Sequence, residues 1–195
     1  MENILRSSIR DSFIVLQKIQ ENDLFFENLE NICNLCVSSI KNGGKIIFAG
    51  NGGSAADSQH LCAELIGRFK KDRPPINSIS LNTNTSSLTA IANDFDYSDI
   101  FSRQLEAIGN HKDLLIAIST SGNSKNILEL VKKAKIMDIT SIGLSGEKDS
   151  LLKSLCDFMI NIPSTDTAKI QEGHILIGHI ICDYIERNLF KKSSI

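Results

Sequence analysis

His60 and Glu64 form a pair whose residue types and spacing could support chemistry. The pattern of apolar residues predicts a helix over Ala55–Gly67, and a separation of four residues places both side chains on one face of it. An imidazole beside a carboxylate can transfer protons or bind a metal ion. A surface ion pair is the other interpretation of this spacing.

Gln171 and His179 form a comparable pair near the carboxyl terminus. They lie eight residues apart in a helix predicted over Thr167–Leu189, so both side chains share a face. If the two helices meet, these residues could join His60 and Glu64 around a divalent metal such as zinc, which accepts imidazole and carboxylate ligands. Spacing alone leaves open whether the helices meet.

A glycine-rich loop precedes the first pair. Its residues GNGGSA begin at Gly50, follow the apolar run KIIFA and fit the G-x-G-x-x-A fingerprint of a dinucleotide site. Such a site also needs an acidic residue about 20 positions later, after the second strand, where this sequence has NTNTSS. Dinucleotide binding is therefore disfavoured. Glycines that admit a ligand to the backbone, with Ser54 as the expected helix cap, favour an anion instead.

A second polar loop, Ser119–Ser124, has the sequence STSGNS, with four hydroxyl residues in six. It also follows an apolar run and precedes a predicted helix, whose free N–H groups and dipole favour a phosphate. Hydroxyls that only cap the helix are the other interpretation. Neither loop contains Lys or Arg, so a phosphate site here suits a sugar monophosphate better than a triphosphate.

Elements that would position these loops are visible as alternating patterns. Five apolar runs predict strands buried on both faces: Lys45–Ala49, Ser78–Leu81, Leu114–Ser119, Ser141–Leu144 and Phe158–Ile162. Helical patterns lie over Ala55–Gly67, Ser98–Ile108, Ser124–Met137, near Ser150 and over Thr167–Leu189. Two further helices are predicted within residues 4–42, with a break at 21–23.

This alternation predicts an α/β fold, a three-layer αβα sandwich with a five-stranded parallel sheet and an N-terminal helical extension. Both polar loops then follow the carboxyl ends of strands, where open α/β sheets bind ligands.

The composition limits the partners and the location. The 195 residues are 42% hydrophobic and 23% charged, with a formal net charge of −2 and no basic segment, so nucleic-acid binding has no electrostatic support. Apolar runs fall far short of the roughly 20 residues of a membrane span, and no signal peptide is recognisable. We therefore expect a cytoplasmic protein without a membrane partner. Cys33 and Cys36 share a predicted helix face, which favours core packing over redox chemistry.

Four segments occur together and in a characteristic order: GNGGSAADSQHLCAELIGRF (50–69), AIANDFDYSDIFSRQLEA (90–107), ISTSGNSKNIL (118–128) and IQEGHILIGHIICDYIE (170–186). With these segments the chain resembles the sugar isomerase (SIS) domain family over nearly its whole length. The first and third segments are typical of SIS domains in general. Three pairs narrow the resemblance to the phosphoheptose isomerase branch: His60 with Glu64, Asn93 with Asp94, and Gln171 with His179.

The resemblance implies a single, flavodoxin-like SIS domain over residues 1–195, with N-terminal helices in 1–43 and the αβα core in 44–195. It implies a homotetramer with active sites at subunit interfaces. The implied reaction is the aldose–ketose isomerisation of sedoheptulose 7-phosphate to D-glycero-D-manno-heptose 7-phosphate through an enediol, for the heptose of lipopolysaccharide or capsule.

The same resemblance implies roles for individual residues. The implied phosphate ligands are Ser119, Thr120, Ser121 and Ser124. The other implied substrate contacts are Asn51, Gly52, Gly53, Ser54, Asn93, Asp94 and Gln171. The implied ligands of one zinc ion per subunit are His60, Glu64, Gln171 and His179, and Glu64 and His179 are also the implied acid–base pair. The roles of Arg68, Asp166 and His174 stay open.

Two other functions fit the fold. One tetrameric SIS protein binds the bacterial replication initiator, and such a protein could keep the phosphate loops without the catalytic pair. SIS-containing regulators sense sugar phosphates, but usually carry a DNA-binding domain that a chain of this length is not expected to include. The presence of all four residues of the two pairs favours the enzyme.

Overall fold

The computed structural model describes residues 3–190, and its centre is a five-stranded sheet in which all strands are parallel. The strand order is β2-β1-β3-β4-β5. The strands are β1 Ile46–Gly50, β2 Ser78–Ser80, β3 Leu114–Ile118, β4 Thr140–Gly146 and β5 Phe158–Ile162. The predicted five-stranded parallel sheet is confirmed, and each strand overlaps the run that predicted it.

Helices cover both faces of this sheet. In chain order they are α1 Ile4–Gln20, α2 Asp23–Lys41, α3 Gly53–Ile66, α4 Thr85–Asp94, α5 Ser102–Ile108, α6 Lys125–Ile136, α7 Leu151–Leu155 and α8 Thr167–Leu189, with a short 3₁₀ helix at Tyr97–Asp99. No helix within residues 3–190 combines the length and the hydropathy needed to cross a membrane.

Strand residues alternate between two helix layers, which explains the continuous apolar runs. In β1, Ile46 and Phe48 belong to a core shared with α2, α3 and α8, whereas Ile47 and Ala49 belong to a core shared with α5, α6 and α7. Because successive side chains of a strand point to opposite faces, a strand between two helix layers is apolar at every position. The three-layer αβα sandwich is therefore confirmed.

The N-terminal extension consists of two helices, as predicted. Asn22 lies in the predicted break and caps α2, because its side chain accepts a hydrogen bond from the Phe25 amide. Val15 and Ile19 of α1 join the core that contains α8. That a single SIS domain spans residues 1–195 remains a prediction. Residues 1–2 and 191–195 of that range lie outside the described residues.

The region before α5 differs from the prediction. Helix α4 was not predicted, and the helix predicted over Ser98–Ile108 begins only at Ser102. Helix α4 has no fully buried residue and is rich in Ser, Thr and Asn, so its apolar pattern is weak. The Asp96 side chain accepts a hydrogen bond from the Ser98 amide, which holds that segment in a 3₁₀ turn.

Candidate active site

Both polar loops leave neighbouring strands at one edge of the sheet. Strands β1 and β3 pair directly, although β2 lies between them in the chain. This is the switch point in strand order at which open parallel sheets bind ligands. The structure therefore brings together the first loop, which follows Gly50, and the second loop, which follows Ile118.

The first loop turns sharply into α3. Gly52 has a φ of 57°, in the left-handed region that favours glycine, and it occupies the N-cap position of the helix. The prediction that Ser54 caps this helix is wrong. Helix α3 begins before it, so Ser54 lies buried in the first turn, where its carbonyl accepts a hydrogen bond from the Ser58 hydroxyl.

Asn51 is fixed by two side chains that were not predicted. Its amide group exchanges two hydrogen bonds of 2.8 Å with the Asn126 amide of α6. The Tyr97 hydroxyl donates a third, of 3.1 Å, to the Asn51 oxygen. Both partners lie inside the segments that carried the family resemblance, and that was the available signal. Asn51 is therefore held in one orientation beside the first loop.

Hydroxyls of the second loop organise the loop itself. The Ser119 hydroxyl accepts a hydrogen bond from the Gly122 amide and lies 3.3 Å from the Ser124 hydroxyl. Ser124 is the N-cap residue of α6, yet its side chain makes no capping hydrogen bond. Helix capping therefore does not account for these serines. Thr120 is half-buried and Ser121 is exposed beside them.

His60, Glu64 and His179 form one cluster. The Nε2 atoms of the two histidines are 2.9 Å apart, and Nε2 of His60 lies 3.4 Å from a Glu64 carboxylate oxygen. The His60 and Glu64 side chains are 48% and 23% exposed, so solvent reaches the cluster. Helices α3 and α8 therefore meet at this cluster, which the spacing of residues in the sequence had left open.

A glycine explains why they meet at this point. Gly178 of α8 faces Leu61 of α3, and a Cβ atom on Gly178 would lie 2.5 Å from a Leu61 methyl carbon. The missing side chain lets the two helices approach closely. His179 follows Gly178 in α8, and His60 precedes Leu61 in α3. The close approach of the helices therefore brings the two histidines into contact. The Phe69 ring packs at 5.5 Å against the His179 ring on the other side.

Gln171 lies against the first loop. A Cβ atom on Gly53 would be 2.5 Å from the Gln171 amide nitrogen, so the side chain lies directly against the loop backbone. Eight residues of α-helix separate Gln171 from His179, a rise of about 12 Å. Asn93 and Asp94 are exposed at the end of α4, where their side chains bond to each other.

The cluster fits a metal ion. One ligand atom from each of His60, Glu64 and His179 lies within 4.8 Å of the others. Zinc bonds to nitrogen and carboxylate oxygen at about 2.0–2.2 Å, so ligand atoms of one ion lie less than about 4.4 Å apart, as the 2.9 Å and 3.4 Å separations in this cluster do. Two imidazoles and a carboxylate are a donor set that zinc accepts.

Comparison with known proteins identifies the family to which the chain belongs. The model of the SIS domain family matches residues 10–146. A phosphoheptose isomerase of Clostridium acetobutylicum is 46% identical, over 97% of both chains, and one of Sulfurimonas denitrificans is 48% identical over the same shares. The structure of a phosphoheptose isomerase from Neisseria gonorrhoeae superposes with a TM-score of 0.87, at 37% identity, and covers 93% of this chain and 96% of that one.

The chain belongs to the phosphoheptose isomerases of the SIS domain family. The superposition with the solved relative over 93% of this chain shows that the two proteins share this fold. The family model ends at residue 146, before α8. His179, the residue that α8 contributes to the cluster, therefore lies outside that match, and its assignment rests on the geometry.

A buried ion pair anchors the helix that carries His179. Glu186 lies in α8, and its carboxylate accepts a 3.1 Å hydrogen bond from Nε of Arg73 with both side chains at most 1% exposed. Burial alone would raise the pKa of Glu186, but hydrogen bonds from the backbone amides of 69–71 and from Arg73 outweigh it and hold that pKa below its usual value. Sequence patterns missed this pair because both residues are charged and distant in the chain.

His174 is a second buried polar residue that sequence reasoning left without a role. Its Nε2 atom lies 3.2 Å from the Ser145 carbonyl at the end of β4, and the ring is completely buried. Burial lowers the pKa of His174 to about 4, so the ring is neutral at pH 7. Gly146, which follows Ser145, donates a hydrogen bond from its amide to the Thr120 carbonyl of the second loop. His174 therefore links α8 to the strand that supports the second loop.

Proposed function

We propose that this chain interconverts sedoheptulose 7-phosphate and D-glycero-D-manno-heptose 7-phosphate, and supplies heptose for lipopolysaccharide or capsule. One observation carries the proposal: the His60, Glu64 and His179 cluster lies on the helices that pack beside the two polar loops. Relatives at 46% and 48% identity that bear the name phosphoheptose isomerase support the same reaction. The non-enzymatic alternative, a binding protein of the replication initiator, is not favoured by these relatives.

Isomerisation moves a proton between C1 and C2, so one group must act at carbon and another at oxygen. We assign Glu64 to the first task. Its carboxylate removes a proton from C1 of the ketose while His179 gives a proton to the C2 oxygen, which yields the enediol. Return of a proton to C2 and loss of the proton from the C1 oxygen complete the aldose. The contact between the two histidines keeps His179 within reach of the same substrate as Glu64.

We further assign His60, Glu64, Gln171 and His179 as the residues that would hold one zinc ion. Bound zinc would polarise the substrate carbonyl and stabilise negative charge on its oxygen. The three-residue cluster supports this assignment directly, while Gln171 would have to extend from its place beside Gly53.

The substrate contacts remain those that the family resemblance implies. Ser119, Thr120, Ser121 and Ser124 would bind the phosphate, which hydroxyl donors and the start of α6 favour. The sugar would contact Asn51, Gly52, Gly53, Ser54, Asn93, Asp94 and Gln171. The fixed orientation of Asn51 supports its part, because a preoriented amide loses little entropy when it binds.

A homotetramer with active sites between subunits is also part of this proposal. Helix α1 presents a stripe of exposed apolar side chains, with Ile4, Leu5, Ile9 and Phe13 each 64–78% exposed. A contiguous apolar stripe of this kind marks an interaction surface. Light scattering on the purified protein should give about four times the 21.5 kDa of one chain. The cytoplasmic location remains an expectation from the sequence.

Turnover of sedoheptulose 7-phosphate, measured with zinc and with a chelator, tests the function. Glu64→Gln should lower kcat by about 100-fold or more and leave KM nearly unchanged, because loss of a general base removes at least that factor. Glu129→Gln, the same change at an exposed residue of α6, is the matched control. The absence of turnover in zinc-containing buffer would overturn the function, and normal turnover in Glu64→Gln would overturn the role of Glu64.

A further inference from the structure

A cavity of about 210 Å³ opens beside the second polar loop. Its walls come from three parts of the chain that the sheet brings together: the second loop, the segment after β4 and the segment before α8. Most of the polar side chains in its wall carry hydroxyls, and two are charged: Thr120, Ser121, Ser164, Thr165 and Thr167, with Asn123, Lys148 and Asp149. Since Lys153 pairs with Asp149, the hydroxyls and the Lys148 cation are the groups that remain for a ligand, and such groups suit an anion.

Lys148 is the cation in this lining. It is exposed, and no ion pair among the described residues includes it. Its acidic neighbour Asp149 is engaged by Lys153, at 3.2 Å. The ammonium group of Lys148 is therefore available to a ligand in the cavity.

The start of α8 does not compete for such a ligand. Its first free amides, those of Ala168 and Lys169, already donate to a carboxylate oxygen of Asp166. A capped helix terminus offers an anion little. A charged partner for an anion in this cavity must therefore be a side chain, and Lys148 is the lysine in its wall.

We propose that Lys148 binds the phosphate group of the substrate together with the Thr120 and Ser121 hydroxyls. Neither polar loop contains a Lys or Arg, so the loops themselves offer no charged side chain to a phosphate dianion. Strand β4 lies next to β3, and the segment that follows it brings Lys148 to the second loop. The inference rests on the proposed isomerase only for the identity of the phosphate ester.

Lys148→Ala tests this role. We expect KM for sedoheptulose 7-phosphate to rise about tenfold or more and kcat to stay within about twofold, because charge-assisted hydrogen bonds are typically worth that factor or more. The inhibition constant of inorganic phosphate should rise in parallel, and Lys148→Arg should restore most of both. Lys132→Ala is the matched control, since it removes the same charge from the exposed face of α6.

Calorimetric titration of the protein with inorganic phosphate separates this inference from the proposed function. If wild type does not turn over the sugar phosphate but binds phosphate, and Lys148→Ala weakens that binding at least fivefold, the phosphate site stands and the isomerase fails. If Lys148→Ala matches wild type in KM and in phosphate affinity, or if Lys132→Ala shows the same loss, the role of Lys148 is overturned. Failure of wild type to bind phosphate overturns it as well.

Discussion

Loss of the Glu186 carboxylate should be among the most damaging single changes in this fold. That carboxylate accepts hydrogen bonds from the backbone amides of Phe69, Lys70 and Lys71 and from the side chain of Arg73. It is completely buried, so water cannot replace any of these bonds. The pair joins α8 to the segment that follows α3.

Arg73 extends the connection to the end of α3. Its terminal nitrogens donate to the carbonyls of Glu64, at 2.8 Å, and Leu65, at 2.7 Å. Carbonyls in the last turn of a helix lack partners within the helix, so the guanidinium completes their hydrogen bonding. The backbone of Glu64 is therefore held by a group that itself depends on Glu186.

We expect Glu186→Ala to lower the free energy of unfolding by about 3–5 kcal/mol, the usual cost of leaving one member of a buried ion pair without its partner. For a chain of this length that corresponds to a fall in Tm of about 10 °C. Asp183→Ala is the matched control on the same helix. Asp183 pairs near the surface with Lys70 and Arg187, and such pairs contribute about 1 kcal/mol or less.

Urea and thermal unfolding followed by circular dichroism measure both variants. The difference between Glu186→Ala and wild type should depend on pH, because hydrogen bonding lowers the pKa of Glu186 in the folded state. The stabilisation is complete above the ordinary carboxyl value of 4.5 and disappears as pH falls through the lowered folded-state pKa. A loss no larger than that of Asp183→Ala at pH 7 would refute the reasoning.

Two further predictions concern α8. Gly178→Val should push α3 and α8 apart at Leu61 and weaken zinc binding measured by titration with a competing chelator, whereas Gly178→Ala should have a smaller effect; equal affinity in all three proteins would contradict the close-packing explanation. Wild-type stability should fall between about pH 6.5 and 4, because the unfolded chain takes up a proton on His174 that the folded chain, with its pKa lowered to about 4, does not bind. His174→Leu should flatten this part of the profile in urea unfolding, and an unchanged profile would show that another group is responsible.

Elements with a cap and a buried face could be predicted from the sequence. Helix α8 has the predicted bounds because Asp166 caps its start and buried residues recur along it up to Glu186. Helix α4 escaped prediction because more than half of its residues are Ser, Thr, Asn or Asp and none is fully buried, so only the Asn84 cap marked it.

The site was predictable within each element but not between elements. A spacing of four residues placed His60 and Glu64 on one face, whereas their contact with His179 depends on the absence of a side chain at Gly178. No pattern in the sequence marked Lys148 as a residue of the site either. It lies far along the chain from the second loop, and only the pairing of β3 with β4 brings it there.

The position that excluded a dinucleotide has its own structural use. After β2, where a dinucleotide-binding sheet of this kind places an acid for the ribose, Asn82 instead faces the first loop. Its amide nitrogen donates a 2.8 Å hydrogen bond to the Gly50 carbonyl, and its oxygen accepts a 3.2 Å hydrogen bond from the Gly50 amide. An aspartate could accept one of these bonds but could not donate the other. The position that would hold the acid of a dinucleotide site is thus used to support the first loop. The hydrogen bonds that fix this loop for a sugar phosphate are therefore made by the same residue whose type disfavours a dinucleotide.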